Sequence, residues 1–447
     1  MYIKILDHNF SFISATLPGI KECLSYTTKT FNYYNKKYKF EIVSLIDKET
    51  STFYTGLVDY VKDTFPDTEI IDERVFPDFT FKEPNLTISL RDYQIDYLIT
   101  ALKKGRMIID SVTGSGKSAM LAAILDVLNL PALIITPDVS TFGQLHTELP
   151  KLLPHRKFGS AQGKNLDLEQ DQVIGLPGTL KNLSNEQLRR FKVLLIDEAH
   201  TAAANQTHDI ILRTNAPYRF GFSGTPKGRS DNKDLVVEGL IGKPVKLVSR
   251  DKLEQDGYLA KTSIKLYRAD WQGDFHTLED LLIVNNPKRN ELICKIVNNY
   301  KNKSILILVK RRDHGLILNK MLPSSHYVNG DSLQDEREEI REKVKNGTIK
   351  ILISTKVFGT GIDIPNLEVG INARGGKSDI ETVQGLGRVV RPWEEVCKEW
   401  VDIYDDYQAT LESHSKERLE RYKQEGIKVE FIGFPPGKER MLNDTTR

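Results

Sequence analysis

Gly114 and Gly116 sit inside the run Ser111-Val112-Thr113-Gly114-Ser115-Gly116-Lys117-Ser118, and Asp197-Glu198-Ala199-His200 follows further along the chain. The glycines let the backbone through Thr113 and Ser115 curl so that successive N–H groups point at phosphate oxygens. A helix opening there adds its partial positive charge. Lys117 is placed to reach the β- and γ-phosphates and Ser118 to offer a hydroxyl to Mg²⁺. Ser111 stands where the strict pattern has its first glycine, a position that needs a small residue more than a positive φ. Adjacent carboxylates at the mouth of a sheet are costly without a cation. Asp197 is therefore expected to hold the metal and Glu198 to orient and deprotonate an attacking water. The chemistry predicted is hydrolysis of a nucleoside triphosphate, with ATP and Mg²⁺ as cofactors.

The elements that must position these groups are legible as apolar patterns. Met107-Ile108-Ile109 suits a buried strand, and Met120, Ile124, Val127 and Leu128 recur at helical spacing behind Lys117. Val193-Leu194-Leu195-Ile196 suits a buried parallel strand ending at Asp197. Candidate strands over 107–110, 132–136, 172–175, 193–197 and 218–223 predict a parallel α/β domain over 86–270. The alternation resumes over 275–425 with strands at 305–309, 326–328, 351–353, 369–371 and 400–403. Residues 1–85 predict a small α+β module, with a hairpin joining 38–46 to 52–55 and a helix carrying Leu57, Val58, Val61 and Phe65. The motor motifs all lie downstream of it, so the module is expected to be removable. Residues 426–447 predict a loosely held tail.

The 447 residues exceed one compact core, so two or three domains are expected. Lys and Arg total 63 against 61 Asp and Glu, so no global basic field signals nucleic acid and any such surface must be local. Cys23, Cys294 and Cys397 are odd in number and far apart, which predicts reduced thiols in a cytoplasmic setting. No apolar run is long enough for a membrane span.

In the second half, Gln384-Gly385-Leu386-Gly387-Arg388-Val389-Val390-Arg391 places two arginines three apart, on one helix face. The fixed charge and planar donor fork of an arginine suit a γ-phosphoryl group. This half has no second phosphate cradle. Two α/β halves with one nucleotide site suggest two RecA-like lobes closing on ATP, with Arg388 and Arg391 as fingers.

The order of these segments resembles a superfamily 2 helicase over roughly residues 86–410. Leu90-Arg91-Asp92-Tyr93-Gln94 resembles the adenine-reading Q motif, which implies nucleotide contacts from Arg91 and Gln94. Ile134-Ile135-Thr136-Pro137 resembles motif Ia and Gly178-Thr179-Leu180 motif Ib, both backbone contacts. Asp197 to His200 is motif II, and Ser223-Gly224-Thr225 resembles motif III with Gly224 where Ala is usual. The resemblance thereby gives His200, Ser223 and Thr225 the coupling of hydrolysis to movement. Arg311 falls in the motif IV region. Ser354 to Asp363 resembles motif V, with Thr355 and Lys356 facing nucleic acid and Gly361 and Asp363 facing nucleotide. Gln384 to Arg391 is motif VI, with Gln384, Arg388 and Arg391 in catalytic places. The compact size, the Leu-Arg-Asp-Tyr-Gln opening and the N-terminal module resemble the UvsW-like branch-migration helicases of tailed phages. That resemblance implies an ATP-dependent DNA helicase acting on forked or branched DNA, monomeric, in a bacterial host cytoplasm.

Backbone contacts carry no sequence information, so binding should follow structure and salt. Thr136, Thr179 and Thr355 are the first candidates, and capping a helix explains Thr179 equally well. Phe31-Asn32-Tyr33-Tyr34-Asn35-Lys36-Lys37-Tyr38-Lys39 interleaves aromatics and lysines as a DNA-touching surface does. A half-buried strand through Phe40 and Ile42 explains it equally well. Lys416 to Lys423 is expected to be a solvated helix face, and Trp393 and Trp400 to be core. Three other functions remain open: an RNA helicase, the motor of a restriction or repair complex, and a nucleotide-gated binding module. Intact Lys117, Glu198, Arg388 and Arg391 argue against the last.

Overall fold

A computed structural model of the protein describes residues 1–15, 19–32, 37–110, 112, 114–224, 231–269, 279–329, 334–355, 366–376, 398–424 and 426–443. The chain forms two compact units: residues 1–112 with 116–248 and, in the main, residues 249–447.

The first unit begins with an α+β module. It comprises β1 (Tyr2–Ile5), β2 (Phe10–Ile13), α1 (Ile20–Cys23), β3 (Ser25–Asn32), β4 (Lys37–Ser44), β5 (Thr52–Tyr54), α2 (Val58–Thr64) and β6 (Glu69–Asp72). The sheet order is β5-β2-β1-β6, and Ile3, Ile13, Phe53, Leu57 and Val61 form its core. The expected helix is present as α2, with Val61 and the preceding Leu57 fully buried. The expected hairpin is not. β4 pairs antiparallel with β3 in a separate ribbon, from Ser25↔Ser44 to Asn32↔Lys37, while β5 pairs with β2. Pairing β5 with β2 puts Phe53 into the module core, which a hairpin with β4 would have forgone. Phe40 and Ile42, expected to be half-buried, are 64% and 80% exposed.

The same unit contains α3 (Asp92–Lys104), β7 (Arg106–Asp110), α4 (Lys117–Leu128), β8 (Ala132–Ile135), α5 (Val139–Leu152), β9 (Phe158–Gln162), β10 (Asn165–Asp167), β11 (Gln172–Gly175), β12 (Val193–Asp197), β13 (Tyr218–Ser223) and β14 (Pro244–Val245). Their sheet has the order β10-β9-β11-β8-β12-β13-β7-β14, parallel except between β9 and β10. Helices on both faces explain why Val193–Ile196 is apolar throughout rather than alternating: all four side chains are buried.

Module and sheet share one interior. Arg219 on β13 donates to Asn9 Oδ1 at 2.6 Å and to the Leu240 carbonyl at 3.0 Å. Arg106 donates to the carbonyls of His8 and Ile241. Gly56 meets the helix Asp234–Ile241 so closely that a Cβ there would stand 2.3 Å from the Glu238 carbonyl oxygen. Tyr60 donates a hydrogen bond to buried Glu238. These contacts count against the expectation of a removable module.

The second unit is built on β15 (Thr262–Ala269), β16 (Ile305–Leu308), β17 (Ser325–Val328), β18 (Ile351–Ser354), β19 (Val369–Asn372), β20 (Lys398–Asp405) and β21 (Val429–Ile432). The sheet is parallel throughout its described pairs, in the order β17-β18-β16-β19-β20-β15-β21. Two expected boundaries move. β15, placed by the sequence in the first lobe, pairs with β20 and β21 of the second. The expected tail supplies edge strand β21 and the helix Lys438–Asn443, whose Leu442 is buried with Leu266 and Tyr404. The helix Ala409–Gln424 is solvated on one side only. Lys416 pairs with Glu412, but Arg418, Leu419 and Tyr422 are buried, and Arg418 and Tyr422 bond Asp402. Trp400 is core, as expected, and Trp393 lies outside the described residues. The fold class is two RecA-like parallel-sheet lobes preceded by a small α+β module.

Candidate active site

β12, β13 and β7 are neighbours in a parallel sheet, so their carboxyl ends open on one edge. The register sets Asp197 beside Phe222 and Ser223 beside Asp110. Open α/β sheets bind ligands at that edge. The turn after β7 carries Gly114 and Gly116 at φ 90° and 80°, a region ordinary side chains rarely adopt. Gly116 begins α4, and its apolar residues from Ala119 to Leu128 are buried, which anchors the helix beneath the turn. Tyr97 on α3 donates to the Asp110 carbonyl at 2.7 Å and accepts from the Leu247 N–H at 2.9 Å, bracing the strand end.

Four sequence-predicted residues come together here. Lys117 Nζ lies 3.9 Å from Glu198 Oε1. Glu198 Oε2 lies 3.4 Å from His200 Nδ1, which is in turn 3.5 Å from Ser223 Oγ. Glu198 has a left-handed backbone, φ 51°, held between strand β12 and the 3-10 turn Ala199–Ala203. A non-glycine residue in that region stores strain of the kind found at functional sites. Its N–H donates to Asp197 Oδ1 at 3.0 Å. Burial, and next the charge of Glu198, push the Asp197 carboxyl up to about 7, against the pull of Lys117. A half-buried acid so disfavoured as an anion calls for a cation. Ser118 and Asp197 thus fit a hydroxyl-and-carboxylate set for Mg²⁺.

Gln94 is buried and tied in. Its Oε1 accepts from the Arg91 N–H at 2.9 Å, closing a capping box on α3, and its Nε2 donates to the Gly116 carbonyl at 3.4 Å. Arg91 Nη1 donates to the Tyr93 hydroxyl. The Q-motif glutamine thereby touches the phosphate turn directly. A Cβ on Gly116 would stand 2.5 Å from Gln94 Nε2.

The expected nucleic-acid contacts fare unequally. Thr136 is fully buried, with its N–H on the Gly175 carbonyl at 3.1 Å, so its side chain offers nothing to a backbone phosphate. Its neighbour Pro137 is partly exposed. Gly178 is exposed, and the Thr179 hydroxyl accepts from the Gly163 N–H at 2.8 Å instead of capping its own helix. Thr355 is buried at the end of β18, and Arg311 is exposed and paired with Asp313. Ser111, Thr113, Thr225, Lys356, Gly361, Asp363, Gln384, Arg388 and Arg391 lie outside the described residues. One contact was missed by the sequence reading: Ser118 Oγ donates to Glu148 Oε2 on α5 at 2.8 Å. A lone acid on an amphipathic helix carries no signal of such a role.

Residues 87–228 match the res subunit of type III restriction enzymes, and residues 288–392 match the helicase conserved C-terminal domain. One match carries the phosphate turn and the Asp-Glu pair, and the other carries the segment with both candidate fingers. The chain belongs to the superfamily 2 helicases. As such a helicase it is an ATP-hydrolysing enzyme. It is 26% identical over 383 residues to the DNA 3'-5' translocase XPB2 of Sulfurisphaera tokodaii, covering 74% of this chain and 85% of the relative. It is 26% identical over 446 residues to the ATP-dependent DNA helicase uvsW of Enterobacteria phage T4, covering 88% of each chain. In fold it is similar to the helicase Lhr of Mycobacterium smegmatis bound to ssDNA and AMP-PNP. The TM-score is 0.52 at 17% identity, covering 76% of this helicase and 49% of that chain. No described helix of the helicase is long and apolar enough to cross a membrane.

Proposed function

We propose that this helicase is an ATP-driven DNA translocase that remodels forked and four-way DNA, acting as a monomer in the host cytoplasm. The observation that carries the motor reading is the chain of contacts from Lys117 through Glu198 and His200 to Ser223, which links three motifs within one lobe. When bound at Ser118 and Asp197, Mg²⁺ supplies charge neutralisation for the triphosphate. Lys117 binds the outer phosphates. Glu198 takes a proton from the attacking water, and His200 and Ser223 sense whether Glu198 has moved. Arg388 and Arg391 complete the site by stabilising charge on the transferred phosphoryl group.

DNA as the track is supported by the similarity to XPB2 and uvsW, both named for acting on DNA. A motor that follows one backbone does not distinguish a junction from plain duplex, so selectivity needs a surface outside the lobes. The β3–β4 ribbon supports that role. Residues i and i+2 share a strand face, so Phe40 and Ile42 lie on one face, and both are exposed. Tyr26, on the opposite face by register, packs against the lobe core, and Asn232 Nδ2 donates to the Thr27 carbonyl at 2.8 Å. The ribbon is thus docked by one side and exposes Phe40 and Ile42 on the other. The exposed ring of Phe40, with Lys29 opposite it in the register, suits stacking on an unpaired base beside a phosphate. The test is ATP-dependent conversion of a synthetic four-way junction into two duplexes. Conversion supports the reading. Hydrolysis without any change of the junction, with unwinding confined to RNA duplexes, contradicts it.

A further inference from the structure

Ser118 Oγ lies 2.8 Å from Glu148 Oε2, and Gln144 Nε2 lies 2.9 Å from the other carboxylate oxygen, Oε1. An ionised carboxylate only accepts hydrogen bonds, so the serine proton must point at Glu148. A serine hydroxyl has one proton and two lone pairs. With the proton committed, only lone pairs remain for a cation. A hydroxyl free to rotate would spend part of its time presenting its proton there instead. Gln144 and Glu148 are four apart on α5, which places them one above the other on one helix face. The amide holds the carboxylate in place from one side, while the serine engages it from the other.

We infer that Glu148 is a positioning residue for the metal-binding hydroxyl of Ser118, with Gln144 fixing its carboxylate. The inference rests on the proposed role of Ser118 as a Mg²⁺ ligand. Glu148 does not touch nucleotide phosphate in this account. It acts through the orientation of Ser118 and through one negative charge placed behind that ligand. Partners behind a metal ligand typically set metal affinity by about 10–100-fold.

The test is equilibrium binding of a fluorescent ATP analogue to the full-length protein, titrated with Mg²⁺, beside the Mg²⁺ dependence of hydrolysis. Glu148→Ala should raise the Mg²⁺ midpoint of both curves by about tenfold or more. Its thermal melting should stay close to wild type. Glu148→Gln keeps an acceptor oxygen for Ser118 and should recover part of the shift. In a Ser118→Ala background, Glu148→Ala should add little, because the hydroxyl it orients is gone. An unchanged Mg²⁺ midpoint in Glu148→Ala, where Ser118→Ala does shift it, overturns this inference alone. An unchanged midpoint in a folded Ser118→Ala protein overturns the metal reading beneath it. A Glu148→Ala loss that is equal at all Mg²⁺ concentrations, with a lowered melting temperature, assigns the residue to packing and also overturns the inference.

Discussion

Arg219 Nη2 donates to Asn9 Oδ1 at 2.6 Å, and both residues are buried. This one bond joins the strand that ends in Ser223 to the turn between β1 and β2. Arg219 finds neutral acceptors. Its donors go to Asn9 and to the carbonyls of Ala216 and Leu240, and burial pushes it down to about 9. Removing residues 1–85 would take away Asn9 and uncover the helix Asp234–Ile241, against which Gly56 and Tyr60 pack. The truncated protein should lose cooperative thermal unfolding or aggregate. Leaving a buried charge without its partners costs about 3–5 kcal/mol, a large share of ordinary domain stability. A truncation that melts cooperatively at the wild-type temperature would contradict the shared core.

Lys117→Ala should abolish hydrolysis with the fold intact, because the ammonium serves phosphate charge and leaves no packing hole. Glu198→Gln should keep nucleotide affinity and lose turnover, since Asp197 and Lys117 remain. Nucleotide binding and single-turnover hydrolysis, measured together, separate the two. Equal loss of binding and hydrolysis in Glu198→Gln would contradict the division of labour.

His314 provides a pH test in the second lobe. Burial, and then the charge of Arg289, push its imidazole down to about 3, and Nε2 lies 2.9 Å from Asn290 Oδ1. The folded state stays neutral while the unfolded chain binds a proton below about 6.5. The stability it confers is therefore intact above pH 6.5. It falls as pH drops towards 3, by at most about 1.4 kcal/mol per unit. Melting temperatures at pH 7 and pH 5 should differ less in His314→Gln than in the wild type. An equal difference would remove His314 from the acid response.

The ATP motifs were legible because phosphate chemistry fixes both residue type and spacing: Gly116-Lys117-Ser118 after one strand and Asp197-Glu198 after another can do little else. Buried strands such as Val193–Asp197 declared themselves by uniform apolarity. The partner of β4 did not, since nearness in sequence favours β5, whereas the module core needs Phe53 paired from β2. β15 was overlooked because only Ile264, Leu266 and Ala269 of its eight residues are buried, leaving a polar-looking run. Motif order makes Thr136 a candidate nucleic-acid contact, yet its side chain is fully buried. Glu148 meets Ser118 only through the packing of α5 on α4.

Phe40→Ala and Ile42→Ala should leave folding and basal hydrolysis unchanged, because both side chains are exposed. They should weaken stimulation by forks and four-way junctions. Stacking platforms are worth about 1–3 kcal/mol per base, so the double variant should lose roughly tenfold or more in apparent junction affinity. Unchanged junction affinity in a folded double variant would move the recognition surface elsewhere.

Whether this helicase is an ATP motor driven by branched DNA is decided by steady-state hydrolysis across a panel of nucleic acids. The panel comprises single-stranded DNA, duplex DNA, forks, four-way junctions and RNA, each at equal nucleotide concentration and fixed salt, because backbone binding is salt-dependent. The wild type should turn over fastest with forks and junctions, more slowly with plain duplex, and least with RNA. Arg391→Ala should be scarcely stimulated by any of them, since a finger is worth about 10³–10⁵ in turnover. Stimulation by RNA equal to or above that by branched DNA would make this an RNA-driven motor instead.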